Sequence, residues 1–155
     1  MKIHLAAYPP GVHRISETEE AQELKLDQAV FRSPVQALIH LDRHDPYLQC
    51  IFDLETIAHL ECDRCLNDYE FCMQLRSPML YVMGRKSDAE DVDDPEITYI
   101  PVGTTDLDIS NDLRDFLILA IPEKRLCRED CRGLCPHCGA DLNLKECTCG
   151  ISLSA

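Results

Sequence analysis

From Val35 the chain alternates. Val35, Ala37, Ile39 and Leu41 fall on one side, and Gln36, Leu38, His40 and Asp42 on the other. Successive side chains of a strand point to opposite faces, so a period of two predicts a half-buried strand. His44-Asp45-Pro46 supplies a turn. A longer strand follows, with Leu48, Cys50, Phe52, Leu54, Thr56, Ala58 and Leu60 on one face. Gln49, Asp53, Glu55, His59 and Glu61 lie on the other. After a turn-like stretch, Cys62 to Asp68, a third strand carries Tyr69, Phe71, Met73, Leu75, Met79 and Tyr81 on one face. If both apolar faces belong to one sheet face, Leu60 pairs with Phe71 and Ala58 with Met73. Cys62 and Cys65 then sit at the tip of a hairpin.

The pattern is weaker elsewhere. Ile3, Leu5 and Ala7 predict a short strand over residues 1–8, and Ile97 to Val102 another. Residues 16–28 are acidic and read as a solvated segment with one helical turn. At Ser110 the period changes. Leu113, Phe116, Leu117, Ala120 and Ile121 recur at helical spacing, Ser110 is a good N-cap, Asp112 suits the positive end, and Pro122 stops the helix. The prediction is therefore an α+β chain. Residues 1–126 form an antiparallel, hairpin-rich sheet with an amphipathic helix over 110–121, and closure of that sheet into a barrel-like form is left open. Residues 127–150 form a Cys-rich zinc-binding tail packed onto it.

Composition narrows the class. The chain has 155 residues, 45% hydrophobic and 28% charged, as an ordinary globular domain does. No apolar run approaches the ~20 residues of a membrane helix. The start, with Pro9 and Pro10 closing a short apolar run, does not read as a signal peptide. The expected compartment is the cytosol, where disulfides are rare and close Cys pairs read as metal ligands; a secreted disulfide framework is the alternative. The net charge is −13. Naked nucleic acid is a poor first partner for such a surface, and a basic protein or the cationic face of a larger particle fits better. Residues 86–96 are strongly acidic but lack the glycine and final glutamate of a calcium loop, so they read as a mobile acidic loop.

The chemistry lies in the cysteines. Six of the ten sit at Cys127, Cys131, Cys135, Cys138, Cys147 and Cys149. So short a stretch, rich in Gly and polar residues, does not bury a useful core. Thiolates closing on zinc contribute roughly 10–16 kcal/mol. A structural zinc takes four ligands. Adding the one other close pair, Cys62 and Cys65, completes two sites. Cys135, Cys138, Cys147 and Cys149 close one locally. Cys62, Cys65, Cys127 and Cys131 form the second, which staples the hairpin tip to the segment after the helix. One zinc with spare thiols, or a different pairing within the tail, is the bland alternative. Cys50 and Cys72, on opposite strand faces, read as ordinary thiols. Iron–sulfur clusters also use four thiolates, so iron stays open beside zinc.

No catalytic constellation accompanies these sites. A site closed by thiolates has no open position for water. His137 reads as a bystander between two ligands. His40 and His44 would lie about 13 Å apart on a strand, too far to share a metal. There is no phosphate loop, no nucleophile elbow and no readable carboxylate pair. The expectation is a protein that is not an enzyme and has no small-molecule substrate. The alternative of another class is a cytosolic thiol-redox or metal-responsive switch using the Cys-x-x-Cys knuckles.

Three features in order carry a resemblance. They are the strand–Cys62-Asp-Arg-Cys65-Leu–strand unit, the acidic loop followed by Asp106 to Pro122, and the tail from Cys131 through Asn143 with its Cys-x-Cys. Together they resemble the YceD family, named for large ribosomal RNA subunit accumulation. The resemblance implies a bacterial or plastid-type protein that supports large-subunit ribosomal RNA processing or accumulation, without fixing a mechanism. It implies ribosomal or ribosome-assembly proteins as partners, with large-subunit RNA contacted locally. Lys124, Arg125, Arg128, Arg132 and Lys145 offer an RNA-facing patch, but balancing the nearby acids on a solvated surface is the favoured reading.

Overall fold

The computed structural model describes residues 1–84 and 97–149. Its strands are β1 (Lys2–His4), β2 (Gly11–Glu19), β3 (Val35–His44), β4 (Tyr47–Glu61), β5 (Asp68–Met83), β6 (Ile97–Ile100) and β7 (Asp106–Asp108), followed by helix α1 (Ser110–Leu119). A five-stranded sheet runs β2-β3-β4-β5-β6, and β1 pairs with β7 in a small second sheet. The strong alternation of β3 to β5 is borne out. Val35, Ala37, Ile39, Leu41, Leu48, Phe52 and Leu54 are all buried on one face.

The sheet departs from expectation in three ways. It is mixed, because β6 runs parallel to β5 while the pairs β2–β3, β3–β4 and β4–β5 are antiparallel. A parallel return needs a long crossover, and the chain between Met83 and Ile97 is long enough to supply one. It is not closed into a barrel: among the described residues β2 and β6 are its edges. Closure is unnecessary because other elements cover the apolar face. Leu113 and Leu117 of α1, Ile3 of β1 and Leu107 of β7 join the same core, and the Phe52 and Phe116 rings lie 5.9 Å apart. Finally, the β4–β5 register pairs Leu60 with Tyr69, Ala58 with Phe71 and Thr56 with Met73, two residues from the expected pairing. The tip is tighter than the pattern implied. Cys62 N–H donates to the Asn67 carbonyl (3.0 Å) and Leu66 N–H to the Cys62 carbonyl (2.9 Å), so pairing resumes at Glu61 and Asp68. A slip of two keeps every side chain on its face, so the apolar faces still coincide.

The segment expected to be solvated over 16–28 is instead the end of β2 and a buried turn. Ile15 faces Ile39 of β3. As an edge strand, β2 buries only Ile15, which leaves no alternation to read. The helical turn is present, with Leu24 N–H donating to the Glu20 carbonyl, but Ala21, Leu24 and Leu26 are buried by it. The expected strand over residues 1–8 stops at His4 and gives way to a 3-10 turn, Leu5–Ala7. Arg43 on β3 clamps that turn by donating to the carbonyls of Leu5 (2.7 Å) and Tyr8 (2.9 Å). Ser110 is the first helical residue rather than the N-cap, and the Asp108 carboxylate accepts its N–H at 3.0 Å. Asp112 in the first turn accepts a 2.6 Å bond from the buried Tyr81 hydroxyl, which ties the helix to β5. The acidic loop over 86–96 lies outside the described residues.

Candidate metal centres

The first centre starts at the β4–β5 tip. Strand pairing holds both ends of Cys62-Asp63-Arg64-Cys65, and Leu66 (φ 58°) turns the chain back to β5. The segment after α1 then lies along this tip. Asp63 N–H donates to the Arg125 carbonyl (2.8 Å), and the Asp63 carboxylate accepts from Arg125 through its backbone N–H (2.7 Å) and its guanidinium (3.2 Å). That docking delivers Cys127 and Cys131. The Cys62 and Cys131 sulfurs are 3.8 Å apart, and those of Cys65 and Cys127 are 3.7 Å apart. Cys62, Cys65 and Cys131 are buried.

The second centre is built within the tail. Cys135-Pro-His-Cys138 forms a tight turn closed by Gly139 N–H on the Cys135 carbonyl (2.9 Å), with Gly139 at φ +71°. Cys135 N–H donates to the Ala140 carbonyl and Leu142 N–H to the Gly133 carbonyl, which folds 133–142 into a miniature hairpin. The chain then returns with Cys147 and Cys149. Cys147 Sγ lies 3.3 Å from Cys135 Sγ and 3.4 Å from Cys138 Sγ. This centre is more open, with Cys138 and Cys149 exposed.

The structure thus gathers the eight thiols into two groups of four, in each of which the sulfurs all lie within 4.8 Å of one another. A tetrahedral ion with metal–sulfur bonds of ~2.3 Å has edges of about 3.8 Å between its ligands. The first group matches that edge and the second is slightly contracted. Disulfides, at ~2.05 Å, are absent: every cysteine is free. The electrostatics also suit a cation. Burial raises the Cys62 thiol, but backbone N–H groups of Cys127, Cys65 and Arg64 outweigh it and lower it to about 6. The N–H groups of Cys138 and His137 lower Cys135 to about 6. Burial and neighbouring thiols push Cys127 up to about 12. The Cys149 N–H lowers Cys147, but the thiols of Cys135, Cys149 and Cys138 prevail and carry it up to about 12. In each group one thiol is thus drawn toward the thiolate and another is pushed away from it, a contrast that a positive charge among the sulfurs would relieve.

The other candidates fall elsewhere. The His137 side chain is exposed and joins neither group. His40 bonds to Asp53 (2.9 Å) and His44 pairs with Asp42 (2.9 Å). Cys50 is buried on the core face, where burial and the Asp112 charge push its thiol up to about 12, and Cys72 is exposed on the opposite face. Two of the five bases near the tail are committed internally. Arg125 holds Asp63, and Arg128 donates to Asn143 (2.8 Å) beside Asp130. Sequence reasoning missed Asn67, Asp141 and Asn143, which pin the tail to the tip. The Asp-x-Asn pattern is an Asx-turn signal that was there to be read. It also missed Gly133, at φ +72°, where an added Cβ would stand 2.9 Å from the Arg64 carbonyl oxygen.

A family model described as Large ribosomal RNA subunit accumulation protein YceD matches residues 51–152, which span both groups of cysteines. The Large ribosomal RNA subunit accumulation protein YCED homolog 1, chloroplastic, of Arabidopsis thaliana is 27% identical over 142 residues, 76% of this chain and 44% of that protein. The protein of the same name from Zea mays is 38% identical over 61 residues, 39% of this chain and 21% of that protein. An uncharacterized protein of Mycobacterium tuberculosis is 32% identical over 82 residues, 53% of this chain and 39% of that protein. The chain spans less than half the length of these relatives. No solved structure matches it.

The close approach at Gly133 yields a comparison. Gly133 and Gly103 both have positive φ, but only Gly133 has a neighbour within 4 Å of an added Cβ. Gly103→Ala carries the backbone strain alone, about 1–3 kcal/mol. Gly133→Ala adds a backbone clash and loosens the Leu134–Arg64 bond, so its unfolding midpoint in denaturant falls further. Equal losses would show that the tail does not press on the tip.

Proposed function

We propose, from the premise that the chain belongs to the YceD family, that it is a non-enzymatic ribosome-biogenesis factor. In this reading it supports accumulation of large-subunit ribosomal RNA in the cytosol, and two zinc ions brace it. The ribosomal part rests on the printed description of the family and on the names of its plant relatives. The zinc part rests on one observation above others: Cys62 and Cys131, then Cys65 and Cys127, approach to the edge length of a tetrahedral four-sulfur site. A tetrahedral set of four sulfurs suits zinc or iron. A multi-iron cluster holds its cysteines on different irons at its outer corners, which fits poorly with sulfurs mutually within 4.8 Å. Redox-inert zinc is the better match to a brace.

Closed four-thiolate sites leave no position for a reacting water, which favours a structural ion over a catalytic one. The braced object is acidic, with a net charge of −13. Basic ribosomal or assembly proteins are its natural partners, and contact with large-subunit RNA is local. No helix among the described residues is long and apolar enough to cross a membrane, and the reading includes neither a membrane nor a small-molecule substrate. The exposure of Cys138 and Cys149 favours a second reading, a thiol-redox or metal-responsive switch at the outer centre. Mild oxidant separates the two: metal released with disulfide formation supports the switch, and metal retained supports the brace.

Elemental analysis of the purified chain beside Cys62→Ser tests the brace. Zinc should fall from about two to about one per chain, and the whole domain, not only the tail, should lose stability. Unchanged zinc would remove Cys62 from any site. For the cellular role, cells lacking the protein should hold less mature large-subunit ribosomal RNA relative to small-subunit RNA. An unchanged ratio, with no retention of ribosomal particles by the tagged protein at low salt, would count against the assembly reading.

A further inference from the structure

Asn143 sits in the loop of the outer centre, between its two cysteine pairs, yet its side chain reaches the inner centre. Its Nδ2 donates to the Cys131 sulfur (3.5 Å) and to Asp141 Oδ1 (2.7 Å). Its Oδ1 accepts from the Arg132 backbone N–H (2.8 Å) and from Arg128 Nη2 (2.8 Å). An asparagine amide has two N–H donors and one oxygen with two lone pairs, so its hydrogen-bonding capacity is fully used. Asp141, which holds Asn143 in place, accepts with its other oxygen from Asn67 Nδ2 (2.9 Å), next to the tip cysteines. Arg132, between the last inner and first outer cysteine, is held by the same amide.

We infer that Asn143 is a positioning residue that couples the two centres, so that filling either one favours filling the other; this rests on the zinc reading above. An N–H directed at a metal-bound sulfur steadies its thiolate and its orientation, and losing such a partner typically costs 10–100-fold in metal affinity. Here that N–H belongs to a loop ordered by Cys135, Cys138, Cys147 and Cys149. An outer centre without metal leaves the loop loose, and Cys131 loses its donor. Coupling of this kind is reciprocal in binding free energy.

The test uses the full chain, stripped of metal under reducing conditions and titrated with Co²⁺, whose thiolate charge-transfer and tetrahedral d–d bands report filling directly. Four proteins are compared: the unaltered chain, Cys138→Ser, Asn143→Asp and the double variant. Asn143→Asp keeps all eight thiols and the side-chain shape but removes both N–H donors. The unaltered chain should fill both centres in one cooperative step, and Asn143→Asp should split it into two steps separated by about tenfold or more. Cys138→Ser should weaken the inner centre by a similar factor, and the double variant should weaken it little further. A Cys138→Ser inner centre within about twofold of the unaltered one, an unsplit Asn143→Asp titration, or multiplicative effects in the double variant would overturn the coupling alone. Absence of thiolate–cobalt bands in the unaltered chain would overturn the metal reading and the coupling with it.

Discussion

Cys62 and Cys131 are 69 residues apart in the chain and 3.8 Å apart in space. Bringing such distant segments together has an entropic cost that grows only slowly with loop length, but it must be met at one point. Here the point is a knot of four sulfurs. Crowded thiolates repel one another, and crowded thiols bond only weakly. On the proposed zinc reading a cation closes this knot, and the docking of the post-helix segment, the seat of the outer centre and the shape of the hairpin tip go with that closure. The Asp63–Arg125 bonds align the approach, but this pair is partly exposed and by itself contributes little.

The sheet needs no such help. Its apolar face is covered by α1 and by the β1–β7 ribbon, with Tyr81 and Asp112 locking helix to strand. The family match begins at Ile51, within β4, so the matched unit comprises most of the long hairpin, the helix and both groups of cysteines. The strands before it complete the layer on one side. The structural division is a packed sheet that holds its own shape and a tail gathered around two groups of four thiols. The bases of the tail are partly used to join the two, which leaves the acidic balance of the surface in place.

Much of this was legible in the residues. The period of two over β3 to β5 located the strands and their buried face, because a half-buried strand cannot hide its alternation. Counting cysteine pairs in fours grouped the thiols, because four ligands close a site. What was not legible has physical reasons. β2 is an edge that buries only Ile15. β6 is too short to declare its direction. The register missed by two because pattern alone does not distinguish a slip that preserves the faces, and backbone bonds within the tip decided it. Gly133 and Asn143 act through approach and hydrogen bonding to residues far away in the chain, and no local period records that.

The most direct test of the stapled sheet is amide hydrogen exchange of the intact reduced chain before and after a metal chelator. Metal removal should release the tail and the hairpin tip together. The amides of Cys62, Asp63 and Leu134, now bonded to Asn67, Arg125 and Arg64, should lose protection in step, while mid-sheet amides keep theirs. Loss of protection confined to residues after Arg132, with the tip unchanged, would contradict it.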